Sequence, residues 1–215
     1  MISNFKFQIS NSQKGITLIE LIVVMFLIVV FSMIVISDFP KIMRQHALSR
    51  ATYKLAQDLR KTEDMGLSGV TIYDNNKDII LAKGYGVYFN MAQQKQYIIY
   101  ADVPGEPDEN GVRTSDQKYT GTGIICSDVK QDELDNEILT EDCVLEVIDI
   151  SKENSSLFIE NIGGYASVSI NFVPPNPDVT IITDETSSPE ISISLSNGLS
   201  IREVLVNKAG LINVQ

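Results

Sequence analysis

Residues 16–36 form a run of 21 positions, 18 of them apolar; the exceptions are Thr17, Glu20 and Ser32. Nothing else in the chain constrains its fold as strongly. As a helix the run would be about 31 Å long at ~1.5 Å per residue, enough to cross a bilayer core. Core helices of globular proteins show a polar face, and this run has none. It therefore predicts a single transmembrane helix, with the rest of the chain organised around an anchor. Glu20 lies five residues into the run. A carboxylate in a membrane helix is costly, less so near an end than at the centre, so its presence calls for a reason.

The run also divides the charge. The chain has 17 Lys and Arg against 28 Asp and Glu, a formal net charge of -11. Residues 1–36 carry +1, residues 37–69 carry +2, and residues 70–215 carry -14. So acidic a remainder repels phosphate and disfavours nucleic acid as a partner of the bulk surface. Two cysteines and one histidine leave no Cys/His set for structural zinc. No Walker loop, GxGxxG turn or HExxH is present. The lone histidine, His46, has no carboxylate or cysteine partner in sequence, and no nucleophile–base pair is visible. The expectation is a protein without catalytic activity.

Residues 1–15 form a polar leader with Lys6 and Lys14. A secretory signal peptide would place small residues after the apolar stretch. Here that stretch ends in Val35-Ile36-Ser37-Asp38-Phe39-Pro40, a poor site, and the break in composition comes before it. The segment Lys14-Gly15-Ile16-Thr17-Leu18-Ile19-Glu20-Leu21-Ile22-Val23-Val24 resembles the prepilin signal of type IV pilins and type II secretion pseudopilins. The resemblance implies that a prepilin peptidase/methyltransferase cuts after Gly15 and N-methylates Ile16, leaving 200 residues. Most of the family has Phe at the first mature position, so Ile16 is a mild departure. The resemblance further implies a single-pass protein of the cytoplasmic (inner) membrane with its C-terminal head outside the cytoplasm. Its partners would be the membrane, other pilins or pseudopilins and the inner-membrane assembly platform. Positive-inside counting opposes this orientation, since Lys41, Arg44, Arg50 and Lys54 outnumber Lys6 and Lys14. Large domains can translocate despite such charge, and the resemblance decides for an outside head.

The resemblance also supplies a reason for Glu20. After cleavage, the ammonium of Ile16 and the carboxylate of Glu20 stand one helical turn apart on one face. Glu20 of one subunit can pair with the amine of a neighbour as helices stack. At an effective dielectric of ~20, opposite charges about 4 Å apart attract by roughly 4 kcal/mol before desolvation.

Beyond the anchor, Pro40 interrupts the apolar run and is expected to kink the helix. Leu48, Ala51, Leu55, Leu59 and Thr62 then recur at spacings of three and four. This predicts an amphipathic helix over 41–65, ended by Gly66 and Gly69, that either packs beneath a sheet or stands as a separate surface helix. Residues 51–61 are similar to the corresponding helix of the H-type minor pseudopilins. From Ile79 onward, β-rich runs fall at 79–82, 85–90, 97–102, 144–150, 157–159, 166–172, 179–183, 190–195, 202–206 and 211–214. Asn197-Gly198 and Ala209-Gly210 supply turns between the last strands. Residues 201–214 resemble the terminal hairpin of the H-type family, whereas 103–142 matches no family pattern. The fold class is thus α+β and pilin-like: a long N-terminal helix, transmembrane then amphipathic, packed on an antiparallel β-sheet head. The divisions are a leader (1–15), a transmembrane helix (16–36), a helical spine (37–69) and a β-rich head (70–215).

Cys126 and Cys143 are either a disulfide, suited to a head outside the cytoplasm, or two independent thiols. As a disulfide, the closed 18-residue loop would contribute about 3 kcal/mol in the loop-entropy model. The acidic residues of that interval, from Asp128 to Asp142, read as a solvated loop, with cation binding as the alternative. Glu106, Asp108 and Asn110 occupy the first, third and fifth places of an EF-hand-like loop, with Gly111 at the sixth. Glu rather than Asp opens it, and Gln117 takes the twelfth place, where a bidentate carboxylate belongs. The segment therefore reads as a polar turn, with calcium as the alternative; no other cofactor is expected. The functional expectation is a non-catalytic minor pilin or pseudopilin of a type II secretion or type IV pilus filament. The alternative is a filament-borne adhesin or DNA receptor.

Overall fold

The computed structural model describes residues 15–73, 79–80, 82–105, 114–121, 123–128, 142–174, 179–184 and 186–215. The leader before Gly15 lies outside them, as do Glu106, Asp108 and Asn110 and most of the acidic interval before Asp142. Contacts divide the chain into two units, Met1–Ile42 and Met43–Gln215.

Helix α1 spans Leu18–Ser68 and includes Pro40. The helix continues through Pro40, as the expected single long helix requires. Proline removes one hydrogen bond, to the carbonyl of Ile36, at a cost of about 3 kcal/mol. The apolar run before it and the amphipathic stripe after it each favour helix, and together they outweigh that local loss. Ser32 Oγ donates to the carbonyl of Ile28 at 2.7 Å, so its hydroxyl is satisfied within the helix. Every large apolar side chain from Ile16 to Met43 is exposed. Mean hydropathy reaches 3.1 over an 18-residue window of this helix, none of which is buried.

The helix ends at a glycine-based cap. Gly69 takes φ +59°, and the N–H of Val70 donates to the carbonyl of Met65 at 3.4 Å. This six-to-one bond is that of a Schellman motif, which requires a left-handed residue just past the helix. Gly66 does not help to end the helix. It lies inside α1, where an added Cβ would meet the carbonyl oxygen of Phe172 at 2.6 Å. It is glycine because the helix crosses a strand there at backbone distance.

The head is built of antiparallel strands. Six form one sheet, in the order β5 (Cys143–Asp149), β4 (Gln96–Asp102), β3 (Gly84–Asn90), β7 (Ser167–Phe172), β8 (Val179–Thr183), β9 (Thr186–Ser187). Four form another: β12 (Ile212–Val214), β11 (Ile201–Asn207), β10 (Glu190–Ser196), β6 (Phe158–Ile162). A two-stranded ribbon pairs β1 (Ile72–Tyr73) with β2 (Ile79–Ile80). The sequence reading missed β1 and β9, which at two residues are too short to show a period.

The core lies where the helix meets both sheets. Leu48, Ala51, Leu55 and Leu59 pack in one cluster with Val87, Phe89, Tyr97 and Ile99 of one sheet and Ile193, Leu195, Val204 and Val206 of the other. The stripe therefore lies beneath sheets, and the separate surface helix does not apply. Two polar contacts fix the helix in place: the Tyr97 hydroxyl donates to Asp58 Oδ2 at 2.6 Å, and Arg60 Nη2 donates to the Ile212 carbonyl at 3.1 Å. Burial and the Asp58 carboxylate push the Tyr97 phenol far above its usual range, so it stays a donor. Gly198 and Gly210 take positive φ in the two terminal turns. Asn197 Oδ1 accepts from the amides of Leu199 and Ser200, and Asn207 Oδ1 from those of Ala209 and Leu211.

Candidate functional site

Two places concentrate unusual chemistry: the first turn of α1, and the face of the six-stranded sheet turned away from the helix.

Gly15, Ile16 and Thr17 precede the first helical residue, Leu18. Thr17 caps the helix. Its Oγ1 accepts from the Glu20 N–H at 3.3 Å, and its carbonyl accepts from the Leu21 N–H at 3.2 Å. Thr17 and Glu20 thus hold the first and fourth places of a Thr-x-x-Glu capping pattern. The sequence reading missed this role, although the pattern is legible in the residues. A carboxylate in the first turn also faces the positive end of the helix dipole. Glu20 is exposed. It shares a shallow open groove with Ile16, Leu21, Val24, Met25 and Ile28, so the one carboxylate sits in an apolar stripe.

On the outer face of the sheet, Asp102 ends β4 and Asp142 precedes β5, and both are essentially fully buried. Asp142 Oδ1 accepts from the Val103 N–H at 2.9 Å, and its Oδ2 accepts from the Thr120 N–H at 2.8 Å. Asp102 Oδ2 accepts from the Ser115 hydroxyl and from Asn171 Nδ2. Asp102 Oδ1 finds no partner among the described residues. Burial raises both carboxyls above the usual range, Asp142 to about 7, while the donors on each oppose the rise. The solvated-loop expectation therefore fails at Asp142. The residue lies at the neck of the interval, where backbone amides and Thr120 converge on it.

Glycines on β3 make room for this cluster. A Cβ at Gly86 would collide with the Tyr100 ring, and one at Gly84 would lie 2.6 Å from Asn171 Oδ1. Tyr119 packs against Tyr88 and Tyr100, with ring centroids 4.8 and 5.1 Å apart. Cys126 and Cys143 form a disulfide with Cα atoms 4.9 Å apart. It belongs to a second small apolar cluster with Ile72, Ile80, Tyr85, Ala101 and Val103. His46 is exposed on α1. No group of three or more His, Cys, Asp or Glu side chains suited to a metal occurs among the described residues.

Residues 10–36 match the family model of the prokaryotic N-terminal methylation motif. The chain carries the signature of type IV pilins and pseudopilins. No curated protein and no solved structure matches it. The pilin signature covers Gly15, Ile16, Glu20 and the whole exposed apolar run. It implies handling by a prepilin peptidase and assembly with other pilins. The helix and antiparallel head behind it form the α+β architecture of a pilin-like fold.

Proposed function

We propose that this chain is a minor pilin or pseudopilin, cut after Gly15, N-methylated at Ile16 and built into a membrane-rooted filament of a type II secretion system or type IV pilus. One observation carries the reading: the methylation motif coincides with the capped, exposed apolar run 16–36, whose only charged side chain is Glu20 in the first turn of α1. Fully exposed in water, that helix would be a large apolar liability; lipid, and then neighbouring pilin helices, are the surroundings that suit it. Cleavage places an ammonium on Ile16 beside the positive end of its own helix dipole. The Glu20 carboxylate of a neighbour offsets both, which favours one axial register.

Within this class, residues 51–61 and the β11–β12 hairpin favour the H-type minor pseudopilins. The head lies outside the cytoplasm, anchored by one pass through the inner membrane, and works by packing rather than by catalysis. Intact-mass analysis of the protein from a host with an active prepilin peptidase tests the reading. The expected mature chain begins at Ile16 and carries one added methyl group, and Gly15→Ala keeps its leader and stays out of filaments. A wild-type chain that retains residues 1–15 in that host rules the proposal out.

A further inference from the structure

Thr17 stands between the methylation-motif glycine and the helix. Gly15, Ile16 and Thr17 precede Leu18, the first residue of α1. The backbone N–H of Glu20 donates to Thr17 Oγ1 at 3.3 Å. Were the helix to grow backwards, the partner of that same N–H would be the carbonyl of Ile16. The N–H of Ile19 would then take the carbonyl of Gly15, which belongs to the peptide bond joining Gly15 to Ile16. The Thr17 hydroxyl therefore competes directly with helix growth across that bond. The Thr17 carbonyl already accepts from the Leu21 N–H at 3.2 Å, as a capping residue's carbonyl does.

We infer that Thr17 is a positioning residue for processing: its hydroxyl stops α1 short of the Gly15–Ile16 bond and keeps that bond in open, non-helical chain that a prepilin peptidase can take. The inference rests on the prepilin reading.

The surroundings give the cap its weight. Ile16, Leu18 and Ile19 are exposed apolar residues. In lipid no water replaces a missing partner, so a bare N–H there draws in a backbone carbonyl. Without the Thr17 oxygen, the carbonyls in reach along the helix are those of Ile16 and Gly15, and the helix gains a turn. Gly15 resists that growth by its low helix propensity. Close packing does not select it, since an added Cβ would meet nothing within 4 Å. The cap uses the backbone N–H of Glu20 and not its carboxylate, which makes no hydrogen bond or ion pair among the described residues. One turn can thus be capped and still offer Glu20 to a neighbour. Hydrolysis adds water across the Gly15–Ile16 bond, leaving a carboxylate on Gly15 and an ammonium on Ile16. Where opening is fast relative to cleavage, the rate follows the fraction of chains in which the bond is open.

Cleavage of the full-length chain by a prepilin peptidase in detergent micelles, followed by intact mass, tests the role. Thr17→Val keeps the shape and removes the acceptor. Thr17→Ser and Thr17→Asn keep an acceptor on a different side chain. A cap of ordinary strength biases the helix start roughly fivefold, so Thr17→Val is expected to be cut about two- to fivefold more slowly. Thr17→Ser and Thr17→Asn are expected to be cut near the wild-type rate. In the uncut chains, the Cα and carbonyl carbon shifts of Gly15 and Ile16 are expected to move toward helical values in Thr17→Val alone. Cutting of Thr17→Val at the wild-type rate overturns the inference. Cutting of Thr17→Ser and Thr17→Asn as slow as that of Thr17→Val also overturns it, because the peptidase then reads threonine itself. Slow cutting of Thr17→Val without the helical shift overturns it as well. A wild-type chain left uncut removes the prepilin reading and this inference together, whereas a cut wild type with indifferent variants removes this inference alone.

Discussion

Single residues in this protein act through what surrounds them, and Glu20 and Gly66 show it in opposite ways. Glu20 is exposed in the first turn of α1, so Glu20→Ala is expected to leave the head's unfolding transition unchanged while incorporation into filaments is lost. Cross-linking in membranes and denaturant titration of the same variant separate the two effects. Gly66 sits in a helix, where alanine ordinarily gains about 1 kcal/mol over glycine. Here the added methyl would strike the backbone and Cβ of Phe172, at 2.6 and 2.8 Å. Gly66→Ala is therefore expected to destabilise the head by about 1–3 kcal/mol despite the better propensity, read as a lower urea midpoint. The sequence marked both positions. It gave Glu20 a reason through charge, but it misread Gly66 as a stop signal, because a close interelement crossing leaves no trace in local sequence.

Elements were legible wherever a period could be counted. The stripe through Leu48, Leu55 and Leu59 and the alternation in Ile191-Ser192-Ile193 both lie in the core where the pattern puts them. Two-residue strands carry no period, so β1 and β9 were not legible. The β4–β5 connection was the least legible part. Its polar residues look like solvent-facing loop, yet Asp142 is buried and Cys143 is bonded to Cys126. Cys126→Ser is expected to lower head stability by about 3 kcal/mol, the loop-entropy value for this separation, as measured by guanidinium unfolding of oxidised wild type and variant. Little or no change would mean that the apolar cluster of Ile72, Tyr85 and Val103 holds this corner without the bond.

For the molecule as a whole, pH is the variable that reads the buried acids together. Asp142 is raised from 3.8 to about 7, and Asp102 is raised in the same direction by burial. A folded carboxyl raised above its unfolded value binds its proton more tightly than the unfolded chain does. Its contribution is complete below the unfolded value and is lost as pH rises through the folded one. The head is therefore expected to be more resistant to urea at pH 5 than at pH 8. Asp149, half-buried and lowered by its bonds to Ser151, acts in the opposite sense. Urea midpoints at the two pH values check this, and a higher midpoint at pH 8 contradicts it.

Sequence alone determined the anchor, the methylation motif, the charge split and most strand positions, because these depend on composition and on periods within a few residues. Tertiary structure alone decided that the stripe of α1 lies beneath both sheets and that Gly66 and Gly121 are glycines of close approach. It also decided that two aspartates in an acidic chain are buried on the outer face of the six-stranded sheet. Those outcomes depend on contacts between segments far apart in sequence, as between Val103 and Asp142 or Gly66 and Phe172, and pattern along the chain does not encode which distant backbone arrives where.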